Sequence, residues 1–278
     1  MKQSRISTAT ITAFAKYLRE QEKSPATIEK YTFCALALVY HLDGNPLTKD
    51  RAVSYKEHLS KSYKATSINT SIAALNSFFA FLRLPLKLKP LKIQRQPFQR
   101  SDRELTHNDY HKLISTAETT GDRMLALVIR TIHETGIRVS ELQYITVEAA
   151  QNGEAQINLK GKIRQIFLTS KTTKPLLRFA KERGITEGSI FLSPRSKKPL
   201  DRHTIWRGMK RVAKIAGIML SKVFPHNLRK LFARRFYQKT KNLTELADLL
   251  GHSDINTTRI YTATTSAQYR ERLERLAL

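Results

Sequence analysis

The chain has 278 residues, room for one large domain or two smaller ones, and its 41% hydrophobic content suffices for real cores. Lys+Arg 49 against Asp+Glu 23 give a formal net charge of +26, which calls for a polyanionic partner, DNA or RNA first. One cysteine, Cys34, excludes an intramolecular disulfide and a cysteine-built metal cage and fits a reducing cytoplasm; no apolar run approaches the ~20 residues of a membrane span, and the N-terminus lacks a signal peptide's apolar core.

The first part reads as helical. Ser24-Pro25 starts a helix, since serine caps and proline is tolerated at the first helical position. Ile28, Tyr31, Ala35, Leu38 and Val39 recur at helical spacing until Gly44-Asn45-Pro46 stops them. Further helices are expected over 50–60 and over 66–82, the latter with Ile68, Ile72, Leu75, Phe79 and Leu82 on one face. From 84 to 100 the prolines Pro85, Pro90 and Pro97 forbid a regular helix. Lys87, Lys89, Lys92, Arg95 and Arg100 alternate there with apolar residues, as in an extended basic linker able to touch phosphates.

Thr106 caps a helix holding Tyr110, Leu113 and Ile114, and 124–134 is a strongly apolar helix. After Gly136 a helical start is expected at Val139. Residues 144–147 and 155–159 read as strands joined at Asn152-Gly153, a strong hairpin signal, with 163–168 as a third strand after Gly161. Beyond Thr169 the chain is helical nearly to its end. The expected fold is mainly α with a small three-stranded antiparallel sheet, divided into a helical domain 1–88, a linker 89–103 and a second domain 104–278.

The charge is unevenly spread. No Asp or Glu lies between Glu57 and Asp102, between Glu154 and Glu182, or between Asp201 and Glu245. One such run would be ordinary solvated surface. Three suggest a surface that follows a phosphate backbone.

Four short blocks carry the chemistry. They are Thr135-Gly136-Ile137-Arg138-Val139-Ser140-Glu141-Leu142, Leu159-Lys160-Gly161-Lys162, His226-Asn227-Leu228-Arg229, and the stretch from Gly251-His252 to Tyr261. Each has a bland reading. Arg138 and Lys160 suit surface turns, His226 and Arg229 share a helix face, His252 follows a helix-stopping glycine, and Tyr261 would by default be core.

As a set, the blocks resemble those of the tyrosine recombinases, the phage integrase family that includes the Xer recombinases. That family carries an arginine in Thr-Gly-x-Arg-x-x-Glu, a lysine in a sheet turn, His-x-x-Arg, then Leu-Gly-His with a tyrosine nine residues later. Arg138, Lys160, His226, Arg229, His252 and Tyr261 occupy those positions, and Glu141 matches the supporting acid. Residues 23–31, from Lys23 to Tyr31, look like the opening of the family's core-binding domain. The family turn usually reads Gly-Lys-Gly-x-Lys-x-Arg; here it is one residue shorter, which leaves Lys162 as a rival to Lys160.

The resemblance implies a two-domain clamp of core-binding and catalytic domains on double-stranded DNA, acting as a homotetramer on two sites. Arg138 and Arg229 would stabilise charge on the phosphate oxygens, and His226 and His252 would add donors or move the proton. Ionising a tyrosine at neutral pH costs about 4 kcal/mol, which nearby cations can offset. A lysine would protonate the 5′ oxygen as it leaves. The implied 3′-phosphotyrosine link conserves the bond energy, so neither metal nor nucleotide cofactor is expected. A topoisomerase of type IB would use similar chemistry on one duplex, but the core-binding signature argues against it. A non-catalytic DNA-binding factor would not be expected to keep the complete set.

Overall fold

The structure, a computed structural model, describes residues 6, 8–93, 104–159, 162–252, 254–259, 261 and 266–276, without the side chains of 159, 162, 266–269 and 272. Two compact units divide the chain, Met1–Arg95 and Gln96–Leu278.

The first unit is built from α1 (Thr8–Glu20), α2 (Pro25–Leu42), α3 (Lys49–Ser62) and α4 (Ala65–Phe81). Ser24 Oγ accepts from Thr27 N–H at 3.3 Å and Pro25 is the first residue of α2, as the dipeptide predicts. Phe14, Leu18, Leu38, Leu75 and Phe78 form the core. Helix α1 is an addition to the expected set.

Residues 84–93 contain neither helix nor strand. Two asparagines one heptad apart on α4 hold them. Asn76 accepts from Leu88 N–H at 2.8 Å and donates to Leu88 O at 2.9 Å, and Asn69 does the same for Leu91 at 2.7 and 2.9 Å. Each carboxamide thus supplies the donor and acceptor that a neighbouring strand would. Leu88 is buried, and Leu86 and Leu91 pack on the same core. Lys87, Lys89 and Lys92 are exposed on this segment; Arg95 lies outside the described residues.

In the second unit α5 (His107–Thr119) starts at a capping box of Thr106 and Asp109. Helix α6 (Arg123–Thr135) is its axis; Val128, Ile129 and Ile132 are fully buried where α5, α8 (Ser170–Glu182), α9 (Arg202–Ile215) and α10 (Pro225–Thr240) pack on it. Then follow α11 (Leu243–Leu250), α12 (Ile255–Arg259) and α13 (Ser266–Arg275).

The sheet corrects the expectation. Among the described residues it has two strands, β1 (Glu154–Leu159) and β2 (Lys162–Phe167), antiparallel, with Leu159 opposite Lys162 and Ile157 opposite Arg164. The first expected strand, 144–147, instead ends a 3₁₀ helix (Val139–Tyr144) and begins α7 (Val147–Asn152), while the other two expected strands are β1 and β2. Thr146 caps α7 by accepting from Ala149 N–H at 3.1 Å, and Gly153 ends it at φ +75°. Asn-Gly therefore closes a helix instead of turning a hairpin. Both uses need a residue tolerant of the left-handed region, so the dipeptide alone cannot separate them. What remains of the strand is a single antiparallel bridge, Thr146 to Ser189.

Candidate active site

The Thr-Gly-Ile-Arg block turns the chain sharply at the end of α6. Gly136 has φ +66°, and a Cβ there would run into the Phe232 ring, so glycine suits both the backbone and the space. Two residues on, Arg138 opens the 3₁₀ helix. Its N–H donates to Glu141 Oε2 at 2.7 Å and its Nη1 to Oε1 at 2.8 Å. One buried carboxylate therefore fixes both the backbone and the fork of Arg138. The arginine side chain stays 41% exposed, while Glu141 is 1% exposed. Arg164, from β2, pairs with Glu141 from the other side.

Arg229 stands on α10 one turn after His226. It is the largest fully buried side chain, at 2% exposure. Nη1 donates to Gly136 O at 2.6 Å, and Nη2 to Leu250 O at 2.7 Å and to His252 Nε2 at 3.0 Å. Burial first, then Arg138 and Arg164, lowers its pKa to about 10, which leaves it charged at neutral pH.

His252 follows Gly251, which ends α11 at φ +63°. Because Arg229 can only donate, Nε2 must accept; the ring proton then sits on Nδ1 and is donated to Thr258 Oγ1 at 2.8 Å. Burial, then Arg229 and Arg138, push the His252 pKa down to about 4, so the imidazole is neutral at neutral pH. His226 is lowered too, by burial first and then by Lys230, Arg229, Arg138 and Arg202.

Tyr261 is 4% exposed and packs with Ala233, Leu246 and Leu250. Its ring lies behind His252, centroids 6.1 Å apart and planes within 21°.

Arg138, His226 and Arg229 line an open cleft of about 480 Å³. Ser140, Arg202 and Trp206 line it too. Trp206 is stacked on His203 and lies under Lys210 Nζ, 5.3 Å from the ring centroid. The structure thus brings together Arg138, Glu141, His226, Arg229, His252 and Tyr261. Lys160 lies outside the described residues, and so does the side chain of Lys162. Sequence reasoning met Arg164 only as the arginine that closes the lysine turn, without a role of its own, and passed over Arg202 and Trp206. For the last two the available signal was position: a basic and an aromatic residue in the first turns of a helix, inside an acid-free tract.

Chemically, the cleft is an anion site. Two guanidiniums, of Arg138 and Arg164, pair with one carboxylate, Glu141, and Arg229 adds a third, leaving excess positive charge beside imidazoles whose pKa values are lowered. Among the described residues no three His, Cys, Asp or Glu gather as a metal site requires, and no described helix is long and apolar enough to cross a membrane.

Comparison with known proteins gives the same direction. The family model described as the phage integrase family matches residues 103–268, and that of the phage integrase N-terminal SAM-like domain matches residues 11–84. Tyrosine recombinase XerA of Pyrococcus horikoshii is 30% identical over 272 residues, covering 95% of this chain and 92% of that protein. In fold, the chain is similar to XerH site-specific recombinase bound to a palindromic difH substrate in a post-cleavage complex, with TM-score 0.76, 19% identity and coverage of 98% of this chain and 84% of that one. It is also similar to a lambda integrase in a tetramer bound to a Holliday junction, with TM-score 0.71, 20% identity and coverage of 91% and 76%. With its family model spanning more than half its length, the chain belongs to the phage integrase family and is a tyrosine recombinase of the Xer-like kind.

Proposed function

We propose that this recombinase cuts and rejoins DNA through Tyr261. The tyrosyl oxygen attacks the phosphorus, the bond to the 5′ oxygen breaks, and a 3′-phosphotyrosine and a 5′-hydroxyl result. No water enters, so the bond energy is kept for rejoining. Arg138 and Arg229 take the charge that grows on the non-bridging oxygens, and His226 donates to them or relays the tyrosine proton; His252 shares that role once its Nε2 exchanges Arg229 for the substrate, its Nδ1–H staying on Thr258. Lys160 or Lys162 delivers a proton to the departing 5′ oxygen. The guanidiniums fill the electrostatic role a divalent ion would otherwise have. The observation that carries this reading is a pair of hydrogen-bond networks, Arg138–Glu141–Arg164 and Arg229–His252–Thr258, whose Arg138 and Arg229 line one cleft, with Tyr261 stacked on that histidine.

The assembly we propose is a clamp, with a core-binding domain 1–88, a linker 89–103 and a catalytic domain 104–278 on the same duplex. Lys87, Lys89, Lys92 and Arg95 would meet the phosphates between them. Four copies would hold two sites and exchange strands through a Holliday junction, as the lambda integrase tetramer is bound to one.

The test starts from DNA trapped covalently on the protein in its host. Sequencing it gives the site, and a nicked duplex of that sequence then traps the adduct in vitro. A substrate with sulfur at the bridging 5′ position has a leaving group that needs no proton. Lys160→Ala should be slow on normal DNA and largely rescued on the sulfur substrate, whereas Arg138→Ala should not be. Rescue of Lys162→Ala alone moves the role to Lys162, and absence of any adduct refutes the reading.

The tail carries a second test. Leu273 and Leu276 are exposed on and just after α13, which is too short to persist alone in water. We propose that this stripe docks in the next protomer, a head-to-tail contact that closes only in a full ring. Deleting residues after Thr265 should leave single-site binding largely intact and impair tetramer assembly and strand exchange. Unchanged recombination would refute the docking.

A further inference from the structure

Arg164 has no place in the chemistry above, yet it bonds both to Glu141, the partner of Arg138, and to the end of α11, just before His252. Its side chain is only 12% exposed. One arm of the fork, Nη2, pairs with Glu141 Oε2, the same oxygen that accepts from Arg138 N–H. The other arm, Nη1, donates to Leu249 O at 2.6 Å, in the last turn of α11. The neighbouring carbonyl, Leu250 O, is the one that accepts from Arg229, and His252 comes two residues later.

The glycine between them fits the same arrangement. A Cβ on Gly251 would lie 2.6 Å from Arg164 Cδ. Gly251 is therefore required for its left-handed backbone and for the room that the arginine stem occupies.

Energy alone does not explain this residue. A third guanidinium buried beside Arg138 and Arg229 is repelled by both and desolvated, so its ion pair with Glu141 is weak evidence for a purely stabilising role. What an apolar side chain cannot do is bond two elements at fixed separation. A planar fork can.

We propose that Arg164 is a positioning residue: one arm fixes Glu141 and through it Arg138, the other fixes the α11–His252 corner, so that the candidate site keeps its spacing. The inference rests on the recombinase reading. It also has two rivals. Arg164 is in the strand that follows the Lys160–Lys162 turn, so it could serve only to hold that lysine in place. It could equally be a phosphate contact.

The experiment uses full-length protein and the nicked duplex recovered above. Covalent attachment in a single turnover is measured beside equilibrium binding and thermal melting. Arg164→Met should slow attachment on the order of 10²-fold, the usual cost of misplacing a reacting group by an ångström. Binding should stay within about threefold, because no charge that faces DNA is lost. The sulfur substrate should not restore the rate. The loss in Arg164→Met with Glu141→Gln should be smaller than the product of the two single losses, since both act on Arg138. Arg164→Lys keeps the charge but cannot span both partners, so it should also be slow; it stands in should Arg164→Met fail to fold.

Rescue by sulfur would assign Arg164 to the lysine turn and overturn the proposal. A parallel fall in affinity would make it a DNA contact and overturn it as well. So would a normal rate in a folded Arg164→Met or Arg164→Lys. Tyr261→Phe run alongside separates the two levels: an adduct there refutes the nucleophile assignment, whereas no adduct there with normal Arg164 variants refutes only the positioning role.

Discussion

Tyr261→Phe should bind its DNA site with near-unchanged affinity and form no covalent complex. The substitution removes one oxygen and leaves the ring, which packs with Ala233, Leu246 and Leu250 and stacks on His252. Folding should therefore change by no more than about 1 kcal/mol, the worth of an ordinary hydrogen bond. The chemistry loses its nucleophile altogether. A loss of at least ~10³-fold in attachment, about 4 kcal/mol in the barrier, is the minimum expected from a group no neighbour can replace. Tyr237 belongs to the same aromatic cluster, and Tyr269 lies eight residues beyond. An adduct that survives Tyr261→Phe and disappears in Tyr269→Phe or Tyr237→Phe would move the role to that residue. Mass spectrometry of the DNA-linked peptide reads the attachment point directly.

Which parts of this molecule the sequence disclosed depends on how local their causes are. Ser24-Pro25, the Thr106–Asp109 box and Gly251 act within one turn of chain, and each is where its residue type predicts. The Thr-Gly-Ile-Arg and His-x-x-Arg blocks lie far apart in the chain and were legible only as a set, through their resemblance to one family's motifs. Asn152-Gly153 misled because a left-handed residue serves a helix end as well as a hairpin. The expected strand at 144–147 was lost with it, once Thr146 capped α7 instead of continuing a ladder. Asn69 and Asn76 hold an extended segment 12 to 22 residues away, and nothing in a helix sequence announces such a clamp. Arg164 is the plainest case. Its partners, Glu141 and Leu249, lie 23 and 85 residues distant, so its role exists only once the chain has folded.

Replacing Arg229 should cost both activity and stability, which sets it apart from the tyrosine. Arg229→Met leaves the Gly136 and Leu250 carbonyls and His252 Nε2 without their donor in a buried place. Each unsatisfied group costs roughly 1–3 kcal/mol, partly offset because burying a guanidinium is itself unfavourable. A net loss of about 2–4 kcal/mol is expected, visible as a lower Tm. Attachment should fall by at least ~10³-fold, since a fixed cation at the phosphate is removed. Arg229→Lys should melt between the two and remain slow, because one ammonium cannot reach three acceptors in a plane. The histidine supplies an independent readout. Arg229 is the largest charge effect on His252, whose pKa is about 4 in the folded protein. In the unfolded chain it returns to ~6.5, so as pH falls through that interval the unfolded state takes the proton first and folding weakens. His226, also lowered, adds to the same trend. In Arg229→Met the His252 value should rise toward the ordinary range, and its share of the acid-side loss should shrink accordingly. An NMR titration of the His252 ring measures the first, and melting between neutral pH and pH ~4 measures the second. An unmoved titration in a folded Arg229→Met would mean that burial alone sets the histidine, and that the Arg229–His252 contact is not the electrostatic link through which the two act together.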